Sequence, residues 1–221
     1  MRRTPIAPLA LAVLLGACAF GSGPTPSPVV PCPTDGPTST SAQATNEGVT
    51  GATIRVTGAV EGDITVELYP EQAPIATANF VELARCGYYD GIWFHRILAG
   101  FVIQAGDPLT RGRTGDFEGV GSGGPGYQFE IEPPADDLGY DPYSLSMAND
   151  TRANGSQFFI ALADLNGGLE RLYTIFGQVT EGTDVVDQIA GLPVNDPQIG
   201  VPLSLPVIQS ITILEGETES E

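Results

Sequence analysis

The chain has 221 residues, the length of one compact domain with extensions. Its formal net charge of −18 argues against a nucleic-acid partner, because phosphate backbones are held by a basic face. All nine basic residues are arginine and there is a single histidine, which excludes lysine Schiff bases, pyridoxal-phosphate attachment, P-loops and multi-histidine metal sites.

Residues 1–17 read as an export signal: Met1-Arg2-Arg3 supplies positive charge and "PIAPLALAVLLGA" an apolar core. That core is shorter than the roughly 20 residues a membrane-spanning helix needs. The sequence "LLGAC" puts Cys18 directly after Leu15-Gly16-Ala17 and resembles the bacterial lipobox. The resemblance implies a lipidated Cys18 as mature N-terminus and an extracytoplasmic protein anchored to the membrane. An ordinary cleavage site followed by an incidental cysteine is the alternative. Residues 18–50 are rich in Pro, Ser, Thr and Gly and read as a disordered tether whose ends lie about 30 Å apart. Cys32 in this tether and Cys86 beyond it can pair in an oxidising compartment. A free Cys32 thiol with a buried Cys86 fits the sequence equally well.

The folded part spans residues 51–216, with an acidic tail at 217–221. "TIRVTGAV" and "GDITVELYP" alternate around a Gly-containing turn and predict a hairpin. Pro74 opens a helix, "PIATANFVELARCG", whose apolar residues follow helical spacing up to Gly87. Short strand candidates follow: "IWFHRIL", "FVIQAG", "YQFEI", "SLSMAN", "SQFFIAL" and "YTIFGQV". A second helix, "TDVVDQIAG", and a last strand, "IQSITILEG", complete the domain. Many short strands with only two helices predict a mainly β fold, a closed antiparallel eight-stranded β-barrel capped by two α-helices.

"APIATANFVELARCGYYDGIWFHRILAGFVIQAGD", "GGPGYQFE", "YSLSMAND", "NGSQFFIAL" and "YTIFGQVTEGTDVVDQI" resemble, in order, blocks of the cyclophilins, the peptidyl-prolyl cis-trans isomerases. The resemblance covers about Thr53 to Leu214. It implies an enzyme that rotates X–Pro bonds, here in exported proteins, working as a monomer without cofactor or metal. Such a reaction breaks no bond and needs no nucleophile, which agrees with the poverty in catalytic side chains. It needs a pocket for the proline ring and a cation that favours the twisted amide.

By motif position the resemblance makes Arg96 that donor and Gln104 the residue that orients it. His95 borders the site in a supporting role, since no proton is transferred. Phe101, Val102, Phe159 and Leu169 (or Leu165 in its stead) would wall the proline pocket. Ala148 and Asn149 would align an extended peptide through their backbones, together with the Gln157 side chain. Tyr173 stands where the family has a histidine. The tryptophan that eukaryotic members carry after the "SQFFI" strand is missing, so the sequence gives no ground for expecting cyclosporin binding. "LTRGRTGDFEGVGSGG", residues 109–124, reads as an extended solvated loop, with gating of the groove as the alternative. Outside the resemblance, each apolar residue reads equally as core and Arg96 as half of an ion pair. Two other functions fit the same sequence: a proline-peptide chaperone or scaffold without turnover, and a structural surface lipoprotein.

Overall fold

The computed structural model describes residues 30–114, 117–149 and 153–216. The signal peptide, Cys18 and the acidic tail lie outside the described residues. Strands β1 (Val49–Gly58) and β2 (Gly62–Leu68) form the expected hairpin. Ala52, Ile54 and Val56 are buried while Arg55 is exposed, the period-two pattern of a half-buried strand. Ile54 stands opposite Ile64, and Ala52 opposite Val66, so the apolar residues of both strands share one face.

The sheet continues through β3 (Arg96–Leu98), β4 (Val102–Ala105), β5 (Ser144–Asn149), β6 (Asn154–Ala161), β7 (Ile175–Glu181) and β8 (Pro206–Glu215). Its spatial order is β3-β4-β6-β5-β7-β2-β1-β8, with every neighbouring pair antiparallel. Eight strands were expected, but the barrel does not close: the sheet curls into a half-barrel whose edges are β3 and β8. The reason lies at β3, which is three residues long. The Ile97 N–H donates to the Gly200 carbonyl (2.7 Å), so a loop takes the edge that β8 would need. Only an isolated bridge between Trp93 and Val207, with flanking backbone bonds, spans the gap.

"YQFEI" is not a strand. Phe129 makes one isolated bridge to Asn154, and Pro125 and the Pro133-Pro134 pair bound the segment, where missing N–H groups prevent a longer ladder. Its role is instead to bring Glu132 to helix α2 (Pro74–Arg85). Ala73, the N-cap, offers no side-chain cap. The Glu132 carboxylate accepts from the Ile75 N–H (2.9 Å) and the Ala76 N–H (2.8 Å) in its place. Free N–H groups at a helix start are thus satisfied from a distant segment. Burial raises the Glu132 pKa, opposed by those two hydrogen bonds. α2 buries Phe80 against Tyr89, Phe158 and Phe176, with ring centroids 5.4, 5.6 and 5.3 Å away. A short helix α3 (Thr183–Ala190) covers the other end through Val185, Val186 and Ile189.

The stretch from Val30 to Gly48, assigned by its composition to the disordered tether, is ordered against the domain and adds a third helix. Helix α1 (Ser39–Thr45) opens on a capping box in which Thr38 and Ser41 bond each other's backbone N–H. Seven residues are too few for a helix to stand alone in water. α1 is held by packing on α2: Ala42 is fully buried, the Thr45 hydroxyl donates to Glu82 (2.8 Å) and the Asn46 amide to the Pro74 carbonyl (2.9 Å). Of the two readings of the cysteines, the structure has the disulfide, Cys32–Cys86, which fixes the strap to the C-terminal end of α2.

Candidate active site

The β3–β4 register sets Arg96 opposite Gln104, and the β4–β6 register sets Gln104 opposite Phe159. Directly opposed residues share a face, and period two adds Val102 on β4 and Gln157 on β6 to it. Phe101, at the turn before β4, is held by its N–H to Leu98 (2.9 Å) and its carbonyl to Leu162 (2.8 Å). The close approach of β4 to β6 requires Gly106, where φ is +95° and a Cβ would lie 2.3 Å from the Ser156 carbonyl oxygen.

Arg96, Phe101, Val102, Gln104, Ala148, Asn149, Phe159, Leu169 and Tyr173 surround one cavity of about 180 Å³. Val102 and Phe159 are buried, and the Phe159 ring meets Tyr173 edge-on at 5.6 Å. Of the two leucines considered, Leu169 lines this cavity and Leu165 does not. Ala148 falls in the irregularity between the Met147–Phe158 and Asn149–Asn154 pairs, so the β5–β6 register gives it no partner. The Asn149 side chain donates to the Leu172 carbonyl (2.8 Å), tying the end of β5 to the loop before Tyr173.

Arg96 is half-buried. Its Nη1 donates to Gln104 Oε1 (3.4 Å), and among the described residues it forms no ion pair. Burial lowers the guanidinium pKa, with Tyr173 acting in the opposite direction. Gln104 Nε2 donates to Gln157 Oε1 (2.9 Å), and Gln157 Nε2 donates to the carbonyls of Gly121 (3.0 Å) and Gly123 (2.8 Å). Gln157 therefore lies outside the small cavity. It lines an adjoining polar groove of about 480 Å³ with Gln104, Ala148 and Asn149.

His95 is also outside the small cavity. It is 3 % exposed; neither ring nitrogen has a hydrogen bond of good geometry, though the Trp93 backbone and the Gln157 side chain lie near enough to favour the protonated ring slightly. Burial is the main cause that lowers its pKa to about 4; the Asp107 carboxylate pulls it up and the Arg96 guanidinium pushes it down. The imidazole is neutral near pH 7.

Asp107 was not foreseen as a site residue. It is fully buried and accepts from the N–H groups of Leu109 (2.7 Å), Gly121 (2.5 Å) and Gly123 (3.3 Å). A Cβ on Gly123 would come within 2.1 Å of its Oδ1, so only glycine fits there. The loop 109–124 is thus no free solvated excursion at its far end. Asp107 binds its amides and Gln157 its carbonyls, which links the loop through Gln104 to Arg96. The available signal was an acid ending the apolar run "FVIQAGD" just before a Gly-rich segment. Among the described residues no group of His, Cys, Asp and Glu is placed to hold a metal ion.

On the face of a curled antiparallel sheet the chain thus has a ring-sized cavity walled by Phe101, Val102, Phe159 and Leu169, with the Arg96 guanidinium and the polar groups of Gln104 and Asn149 at its margin. The profile of the family described as "Cyclophilin type peptidyl-prolyl cis-trans isomerase/CLD" matches residues 52–213. Peptidyl-prolyl cis-trans isomerase B of Streptomyces anulatus is 42 % identical over 173 residues, 69 % of this chain and 91 % of that protein. The peptidylprolyl isomerase domain and WD repeat-containing protein 1 of Mus musculus is 42 % identical over 154 residues, and the match spans 22 % of that longer protein. The crystal structure of a cyclophilin type peptidyl-prolyl cis-trans isomerase from Cryptosporidium parvum superposes with a TM-score of 0.65 at 32 % identity, covering 76 % of this chain and 99 % of that one. A second structure of that protein was determined in the presence of the dipeptide Ala-Pro; its TM-score is 0.64 at 33 % identity, with 75 % and 99 % covered. The chain belongs to the cyclophilin-type peptidyl-prolyl cis-trans isomerases, and its activity is the cis-trans isomerisation of X–Pro bonds.

Proposed function

We propose that the proline ring enters the 180 Å³ cavity between Phe101, Val102, Phe159 and Leu169, and that Arg96 is the catalytic residue. The barrier to rotation, about 18–20 kcal/mol, comes from amide resonance. As the bond twists, the proline nitrogen loses conjugation and gains a lone pair. A fixed N–H donor near that nitrogen stabilises the twisted amide more than either planar form, which is the condition for lowering the barrier. Gln104 holds the guanidinium, and the backbone of Ala148 and Asn149 with the Gln157 side chain aligns an extended peptide beside the cavity. His95, buried and neutral, shapes the wall behind Arg96 and transfers no proton.

The observation that carries this reading is a half-buried guanidinium with no carboxylate partner among the described residues, beside a cavity walled by Phe101, Val102, Phe159 and Leu169. A structural arginine would be paired, because an unpaired buried charge costs several kcal/mol. A pure binding module would have no use for that donor. The substrates are proline-containing segments of exported proteins, and the chain acts as a monomer anchored outside the cytoplasm through lipid on Cys18. The exported clients and the anchor rest on the export signal and "LLGAC", and the monomer on the family resemblance.

Magnetisation exchange between the cis and trans signals of an Ala-Pro peptide tests the assignment. The unmutated chain accelerates exchange, and Arg96→Ala lowers kcat/KM by about 100-fold or more, as loss of a transition-state donor does. Full activity in Arg96→Ala sinks the mechanism. Incorporation of labelled fatty acid, lost on Cys18→Ala, tests the anchor.

A further inference from the structure

A third groove, of about 550 Å³, also adjoins Arg96. Arg96 and Gln104 line both it and the ring-sized cavity, so the two spaces meet at the guanidinium. Apart from these two, its walls combine the apolar side chains of Phe117, Val120, Ile199 and Val201 with the polar ones of His95, Asn195 and Gln198. Single exposed apolar residues are ordinary on a protein surface. Here four apolar residues from two distant segments converge on one groove beside the proposed catalytic donor; Phe117, Val120 and Val201 are partly buried and Ile199 is 55 % exposed.

Both walls are held in place. The Phe117 ring lies edge-on to the buried Trp93 with centroids 5.8 Å apart, and the loop that follows is clamped by Asp107 and Gln157. On the other side, the Asn195 backbone N–H donates to the Val201 carbonyl (2.8 Å), and Asn195 Oδ1 accepts from the N–H groups of Asp196 (2.7 Å) and Val201 (3.1 Å). Gly200, next to Ile199, accepts from the N–H of Ile97 (2.7 Å). Ile97 neighbours Arg96 on β3, so Ile199 is tied to the strand that holds the guanidinium. The groove is preformed and does not wait for a partner to order it.

Its chemistry is selective. The chain has 27 acidic residues, yet among the described residues none lines this groove, and its one charge there is Arg96. The 480 Å³ groove is lined differently, by a run of glycines with Gln104, Tyr127 and Gln157. A cationic side chain has no counter-charge among these walls, whereas an apolar one buries surface against four residues. We propose that this groove is a subsite for an apolar side chain, leucine- or phenylalanine-like, of the same peptide whose proline occupies the 180 Å³ cavity. An extended chain advances about 3.3 Å per residue, so a strand crossing one guanidinium brings a residue one to three positions from the proline into the groove. The inference rests on the site assignment above.

The test uses the full chain and Ala-Pro peptides carrying leucine or serine at each of the three positions before and after the proline. At one of these positions leucine raises kcat/KM about tenfold over serine, mainly through KM, the range open to a hydrophobic subsite. Ile199→Ser, or Val120→Ser from the other segment, brings that ratio close to one. Leu203→Ser, a more exposed loop residue outside the groove, leaves the ratio intact. A ratio near one at every position in the unmutated chain overturns the inference, and so does a preference that survives both groove variants. If no peptide is accelerated at all, the site assignment fails. The subsite is then read from the methyl resonances of Ile199 and Val201: a shift with leucine peptides but not serine peptides upholds it, and no shift removes it.

Discussion

The sheet face that carries Arg96 and the strap that crosses α2 are built by opposite means. On the sheet, the ladder alone delivers the functional side chains: Arg96, Gln104 and Phe159 are successive partners across β3, β4 and β6. The strap from Val30 to Gly48 has no ladder and a composition that favours disorder; a disulfide, a capping box and a few side-chain bonds to α2 hold it. Register gives the site its geometry, and Arg96 gains little stability there because it lacks an ionic partner among the described residues. The strap gives stability and contributes no residue to the lining of the ring-sized cavity. Chemistry and stability therefore separate in this molecule, and substitutions can show how cleanly.

The largest expected effect is on the site side. Arg96→Ala should raise the activation barrier by about 3–4 kcal/mol, judged from the loss of other transition-state donors. Thermal unfolding of the same variant should change little, since truncation removes a poorly partnered charge. A large fall in Tm would mean that Arg96 is structural and that the two regions are not separable in this way.

The strap should give the converse. Replacing Cys32 and Cys86 together by serine removes a cross-link between residues 54 apart in sequence and should cost about 3 kcal/mol of unfolding free energy. Denaturant titration reads the loss, and kcat/KM for an Ala-Pro peptide should stay within twofold of the parent. A parallel loss of activity would show that α2 transmits strain from the strap to the sheet. A smaller effect is expected at the other end of α2. Glu132→Ala removes the acceptor for the Ile75 and Ala76 N–H groups and should cost about 1–2 kcal/mol, the worth of a good N-cap. Glu132→Gln keeps an acceptor and should recover part of it.

The same division governs what could be read from the sequence. The hairpin, α2, α3 and the strand pair bearing "HRIL" and "FVIQ" follow from alternation, helical spacing and a proline start, all local signals. Whether the sheet closes depends on which chain reaches the free edge of β3, and that competition between β8 and the Gly200 loop has no local trace. "YQFEI" alternates like a strand, but Phe129 fills the core while Glu132 caps a helix, so its pattern is satisfied without a ladder. The strap was hidden for a related reason: Ala42 and Cys32 acquire meaning only beside α2. Around the site, motif position named residues that the structure gathers at one cavity or its margins. It overlooked Asp107, whose work is to hold loop amides, and the apolar walls at Phe117 and Ile199, which come from segments with no motif.

The smallest expected effect falls on the one residue that sits with the site but behaves like the core. His95 has a pKa near 4 in the folded chain against 6.5 for the ordinary group. Its charge therefore does not change between pH 6 and 8 in the native state, and kcat/KM should be flat there; a sigmoidal step near pH 6.5 would give the imidazole a part in catalysis. Its influence should appear in stability instead. Above pH 6.5 the ring is neutral both folded and unfolded. Below that, the unfolded chain takes up a proton that the folded chain refuses, so stability falls with pH until the buried ring itself titrates near 4. The full span is about 3 kcal/mol at most. Carboxylates add their own acid dependence, so the quantity to compare is the slope between pH 6.5 and 4 in the parent and in His95→Gln. A shallower slope in the variant, with activity at pH 7 reduced only modestly, would place His95 with the framework and leave the chemistry to Arg96.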